Sequence, residues 1–133
     1  MGVEGYAQNA WLNWILKGVQ PAAITPHLGL ILDDGTEVSG TDYARVPLAD
    51  KYATESDGDG SSANTSLIQF ASANTDWTTS PWKITHVVIF TELTGGSKVK
   101  TADLGYAPGE GHEVQAAEES LDIPISQLTW TIS

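Results

Sequence analysis

The chain has 133 residues, 41% of them hydrophobic, with five tryptophans and thirteen glycines, a mixture that suits a single domain over residues 1–133 with a buried core and frequent turns. Seventeen carboxylates against six cations give a formal charge of −11 spread along most of the chain, which argues against nucleic acid and against an anionic membrane surface, because both attract Lys and Arg. The chain has no cysteine, which excludes disulfides and thiolate-bound zinc and leaves core packing or oligomerisation to hold the fold.

Residues 4–18 form the one predicted helix. Ala7, Trp11, Trp14 and Ile15 share a face at i, i+4, i+7 and i+8, and Gly18 is a stop. Tyr6, Leu12 and Leu16 widen the apolar surface beyond one stripe. Two placements follow: the helix plugs one end of a sandwich, or Trp11, Leu12 and Trp14 face a partner chain, since aromatic anchors dominate interface energetics. No run approaches the roughly 20 apolar residues that span a bilayer, and the N-terminus has no basic start followed by a small-residue cleavage site.

Beyond Pro21 and Pro26 the pattern changes to strands. Residues 27–32 read as a buried strand closed by the turn Asp33-Asp34-Gly35, residues 43–48 as a second, and residues 66–71 as a third with near alternation. The polar, glycine-rich residues 55–62 read as an exposed loop. Residues 82–91 concentrate Ile84, Val87, Val88, Ile89 and Phe90 in one run, the composition of a central strand. Gly95-Gly96 then turns into a strand over residues 97–104, a loop covers 105–111, and strands are expected near 112–117 and at 127–132. Seven or eight strands with sandwich-like turn spacing and no alternating helices predict an all-β fold, an antiparallel β-sandwich or jelly roll with a short N-terminal helix.

Little in the chain points to catalysis. His27, His86 and His112 are isolated, without metal-ligand spacing, and a Ser-His-Asp triad assembled among so many serines and aspartates carries no information. Asp57-Gly58-Asp59-Gly60 clusters oxygens as calcium requires, but Ser62 and Ile68 stand where an EF-hand needs its glycine and closing glutamate, so a solvated acidic loop is expected. Asp33-Asp34 and Glu118-Glu119 read as solvated edges, and Gly105, Gly109 and Gly111 make no phosphate-binding signature. Exposed aromatics could stack on sugars, but Trp77, Trp82 and Trp130 stand in or beside apolar segments and are expected in the core. No enzyme activity, metal or cofactor is expected.

The run Gly35-Thr36-Glu37-Val38-Ser39-Gly40-Thr41-Asp42-Tyr43-Ala44-Arg45 resembles the signature of a group of small phage structural proteins, described as tail fibre or head decoration proteins. The similarity continues in order through Tyr6, Asn9 and Gly18, the strand at 27–32, Asp76-Trp77, the segment Trp82 to Phe90, a Gly-Gly turn and the terminal Leu128-Thr129-Trp130-Thr131. Departures lie in Thr78-Thr79-Ser80-Pro81, which lengthens a short link, and in the 105–111 loop. Within the motif, Glu37 to Gly40 reads as a turn delivering a strand, with Gly40 free to take a positive φ, Tyr43 pinning the loop, and Arg45 in a buried or bidentate ion pair.

The resemblance implies a virion protein made in the host cytoplasm. Its leading form is a capsid decoration, or cement, protein on the outer shell, a homo-oligomer such as a trimer bridging subunits of the major capsid protein. The alternative is a tail fibre or tail-tip component involved in host adsorption.

Overall fold

A computed structural model of the chain describes residues 5–39, 43–54, 60–70, 77, 83–106, 110–112 and 121–131. One helix, α1 (Gly5–Lys17), precedes eight strands among the described residues: β1 (His27–Leu32), β2 (Val46–Pro47), β3 (Ser61–Ala63), β4 (Ile68–Phe70), β5 (Ile84–Phe90), β6 (Lys98–Asp103), β7 (Leu121–Ile123) and β8 (Thr129–Thr131). The fold is all-β, with every ladder antiparallel. A four-stranded sheet runs β2-β1-β5-β6, and two ribbons, β3-β8 and β4-β7, supply the rest.

The central position of β5 follows from its composition. Its β-branched and aromatic side chains fit a pleated surface covered on both faces, and it lies between β1 and β6. Leu28 and Leu30 of β1 point to one face with Ile84 and Val87 of β5, and that face meets Ile68 and Phe70 of β4, Leu121 of β7, Trp77 and Leu128. The core is therefore a layer between the main sheet and the ribbons. Ile31, Val88 and Phe90 form a smaller cluster on the other face. Ile84 and Val87 would not share a face in a regular strand, because side chains alternate with a period of two. A register shift opposite Ile31/Leu32 absorbs the extra residue and returns both to the core.

Several predicted bounds shift. The strand expected over 43–48 shortens to Val46–Pro47, and that over 66–71 to Ile68–Phe70. Ser61 and Ser62, read from composition as exposed loop, are half-buried in β3, where their backbones pair with Thr131 and Trp130. Small polar side chains give no local strand signal; the pairing partner lies some seventy residues away. Leu121–Ile123 forms a strand that no pattern announced. Of the strand expected near 112–117, His112 makes an isolated bridge to Ile84, and residues 113–117 lie outside the described residues.

Candidate functional site

α1 forms because eleven residues between Tyr6 and Leu16 contain neither glycine, proline nor valine, with Ala, Leu, Trp and Gln promoting or tolerating helix. It ends at Gly18, which takes φ +70° and donates to the Trp14 carbonyl at 3.0 Å, a left-handed stop that glycine adopts without steric cost. The helix lies against β6, with Ala7 and Ala10 half-buried and no residue fully buried. Its large side chains face outward: Trp11 is 50% exposed, Trp14 52% and Leu16 75%, with Tyr6, Leu12 and Ile15 also exposed. Val19 and Ile24 of the following linker continue the surface.

Placement of the helix as a plug in the sandwich is thus not what the structure shows. Trp11, Leu12 and Trp14 are each about half exposed, and among the described residues nothing buries any side chain of the helix fully. Eight of the twelve large hydrophobic side chains exposed among the described residues belong to residues 6–24. The same stretch is almost without charge: between residues 5 and 26 the sole ionisable side chain besides Tyr6 is Lys17. Residues 27–133 hold sixteen of the seventeen carboxylates and five of the six cations, and so the whole formal charge of −11.

The motif residues do something different. β2 covers β1 only at His27 and Leu28, leaving the edge of β1 beyond them to be completed by the segment that follows. Val38 donates its N–H to the Leu30 carbonyl at 3.0 Å, and the Leu30 N–H finds the Tyr43 hydroxyl at 3.0 Å. That hydroxyl donates in turn to Glu37 Oε2 at 2.7 Å, while the Tyr43 ring meets Phe70 and Trp77 at centroid distances of 6.2 and 5.5 Å. Arg45 grips the same carboxylate in bidentate fashion, Nε to Oε2 at 2.8 Å and Nη2 to Oε1 at 2.7 Å. Its Nη1 donates to the carbonyls of Glu92 and Gly95, fastening the β5-β6 turn. The guanidinium carbon lies 3.4 Å from the centroid of the Phe90 ring, close enough for a cation–π contribution.

Gly29 is what lets these groups converge. A Cβ there would stand 2.6 Å from Phe90 Cε2 and 2.8 Å from Glu37 Oε2. Burial by itself raises the Glu37 carboxyl, but hydrogen bonds from Arg45 and Tyr43 and the guanidinium charge outweigh it and hold the carboxyl below its ordinary value. The Tyr43 phenol is pushed far up, first by burial and then by the neighbouring carboxylate. The cluster is a structural clamp whose polar groups are engaged within the chain. Gly40 lies outside the described residues.

Other candidates disperse. His27 is buried, its Nδ1 2.7 Å from the Thr25 carbonyl, while His86 Nε2 stands 3.8 Å from Asp103 on the main sheet. Trp77 is buried; the Trp130 indole donates to the Tyr52 hydroxyl at 2.8 Å, and partial burial pushes that hydroxyl up to about 12. Trp82, Asp57, Asp59 and Glu118-Glu119 lie outside the described residues. Among the described residues no three His, Asp or Glu side chains gather as a metal site, and no helix is long and apolar enough to cross a membrane. Sequence reasoning missed Asn64, which is 1% exposed and whose side chain accepts from the Leu128 N–H at 3.0 Å and donates to the Ser66 and Pro124 carbonyls. An isolated Asn among serines and threonines gives no sign that it ties residues 64–66 to residues 124–128.

Residues 2–131 match the family described as podophage GP4 fiber I protein gp80. No curated protein matches the chain. The match covers nearly the whole sequence, and the chain belongs to that family. It is a bacteriophage structural protein, associated with the virion.

Proposed function

We propose that this chain is a fibre subunit of a podophage particle and that it attaches through α1. One observation carries the mode of attachment: a nearly uncharged helix with its tryptophans and leucines outward beside a body bearing the full charge of −11. Large exposed apolar patches mark interaction surfaces, and Trp11, Leu12 and Trp14 are of the residue types that anchor them. The family description supports the fibre position.

A second reading is the capsid decoration protein, a trimer or other homo-oligomer bridging the major capsid protein. The acidic body favours it, since a strongly negative domain suits a shell surface turned away from packaged DNA. Both readings make the protein a structural part that works by protein contact without a cofactor.

Copy number in purified virions, measured by mass spectrometry against the major capsid protein, separates them. A few copies per particle supports the fibre. Abundance approaching that of the capsid subunit supports decoration, and absence from purified particles overturns both.

A further inference from the structure

We propose that the occupant of the exposed α1 face is the α1 face of a second copy of this chain, so that the subunit self-associates helix to helix with its acidic bodies held apart. This rests on the reading of α1 as the attachment surface and names its partner.

Charge distribution is the first argument. Two copies each carrying −11 repel wherever their bodies approach, and residues 5–26, with Lys17 as their only charged side chain at neutral pH, are the stretch on which they can meet without that cost. The second is area. The exposed portions of Tyr6, Trp11, Leu12, Trp14, Ile15 and Leu16, with Val19 and Ile24, amount to roughly 600–1,000 Å² if each free side chain offers about 150–250 Å², a range that includes the roughly 800 Å² per partner of a stable interface. The third is pattern. Trp11 with Ile15, and Leu12 with Leu16, make two neighbouring i, i+4 ridges of the kind that interdigitate with an identical helix. No carboxylate interrupts the helix and its one charge, Lys17, stands at its last residue, so no charge pattern along it discriminates against its own copy, as partner-selective helices do with charge.

Salt dependence distinguishes such a seam from one built on ion pairs. Screening weakens the repulsion between bodies and leaves apolar burial intact, so association tightens as salt rises. The test is sedimentation equilibrium of the full chain in low and high salt, alongside Leu12→Glu/Leu16→Glu, with the sheet's circular dichroism and urea midpoint as a fold control. The expected result is a self-associating wild type whose dissociation constant falls about tenfold from low to high salt. The double variant, folded as before, should associate on the order of 100-fold more weakly because a carboxylate would be buried unpaired.

A wild-type chain that stays monomeric at every salt concentration overturns the proposal, as does a double variant that associates like wild type. Should the monomeric wild type still bind purified particles lacking it while the double variant does not, α1 stands as the attachment surface and only the second copy is ruled out.

Discussion

In the Glu37–Tyr43–Arg45 cluster, carboxylate, phenol and guanidinium answer one another within the chain, and Phe90 lies under the cation. In α1, none of the large apolar side chains finds such cover. Both regions concentrate costly groups at the surface of the same sheet system, yet one is complete in the isolated chain and the other is not. The difference separates what residues do for folding from what they do for assembly. A satisfied cluster stabilises the subunit whether or not a partner is present, whereas an uncovered helix contributes its free energy only on association.

The contrast is sharpest at Arg45. Its side chain is 8% exposed, and removal leaves Glu37 charged and without its bidentate partner, so Arg45→Ala should cost on the order of 3 kcal/mol of subunit stability. The β5-β6 turn would lose two fastenings as well. Equilibrium urea unfolding checks this, and Arg45→Lys should recover less than half, because a point charge cannot reproduce the fork to the carboxylate and the turn carbonyls together. Recovery to wild type by lysine would reduce the cluster to simple charge balance.

Gly29→Ala comes next. The added methyl would press on Phe90 and the Glu37 carboxylate at 2.6 and 2.8 Å, and the expected loss is about 2 kcal/mol from forced repacking. A urea midpoint unchanged from wild type would mean that the Phe90 ring yields freely and that the clamp is looser than its geometry.

The pH dependence follows in size. Glu37 is held below its ordinary value of 4.5 in the folded chain, so the unfolded state binds the proton more readily. Its contribution is full above 4.5 and disappears as pH falls through the lower folded value. Tyr52 acts at the other end. Burial raises it from 10.0 to about 12, so the folded state keeps a proton that the unfolded state releases, and stability declines as pH climbs from about 10 toward about 12. Thermal melts across both windows should show Glu37→Gln flattening the acid arm and Tyr52→Phe reducing the alkaline one.

How much of this was legible beforehand depends on where each signal sits along the chain. β1 and β5 carry their signal locally, as apolar runs bounded by turns, and the run at residues 27–32 coincides with β1. β3 and β7 carry none: Ser61 to Ala63 is ordered by Trp130 and its neighbours, and Leu121 to Ile123 by Ile68 to Phe70. Asn64 belongs with them, since its role depends on carbonyls about sixty residues away. The apolar breadth of α1 was plain in the sequence, but its direction was not. Whether Trp11 and Trp14 turn inward depends on whether the sheets leave a vacancy, and Phe70, Trp77 and Leu128 already fill the core. The Arg45 pairing needed the tertiary structure to identify Glu37 among seventeen carboxylates.

The smallest expected effect tests the other half of the comparison. Trp14 is 52% exposed and α1 buries no residue, so Trp14→Ala or Leu16→Glu should change the stability of the monomeric chain by no more than about 0.5 kcal/mol, the range of surface substitutions. Measured dilute, the midpoint should stay with wild type; measured concentrated, only wild type should gain stability with concentration, because a partner that binds the folded state alone adds stability by mass action. A loss above about 2 kcal/mol in dilute solution, the scale of a truncated core side chain, would mean that α1 is packed after all. The helix would then belong with the Arg45 cluster as part of the fold, and attachment would have to be sought on the acidic body.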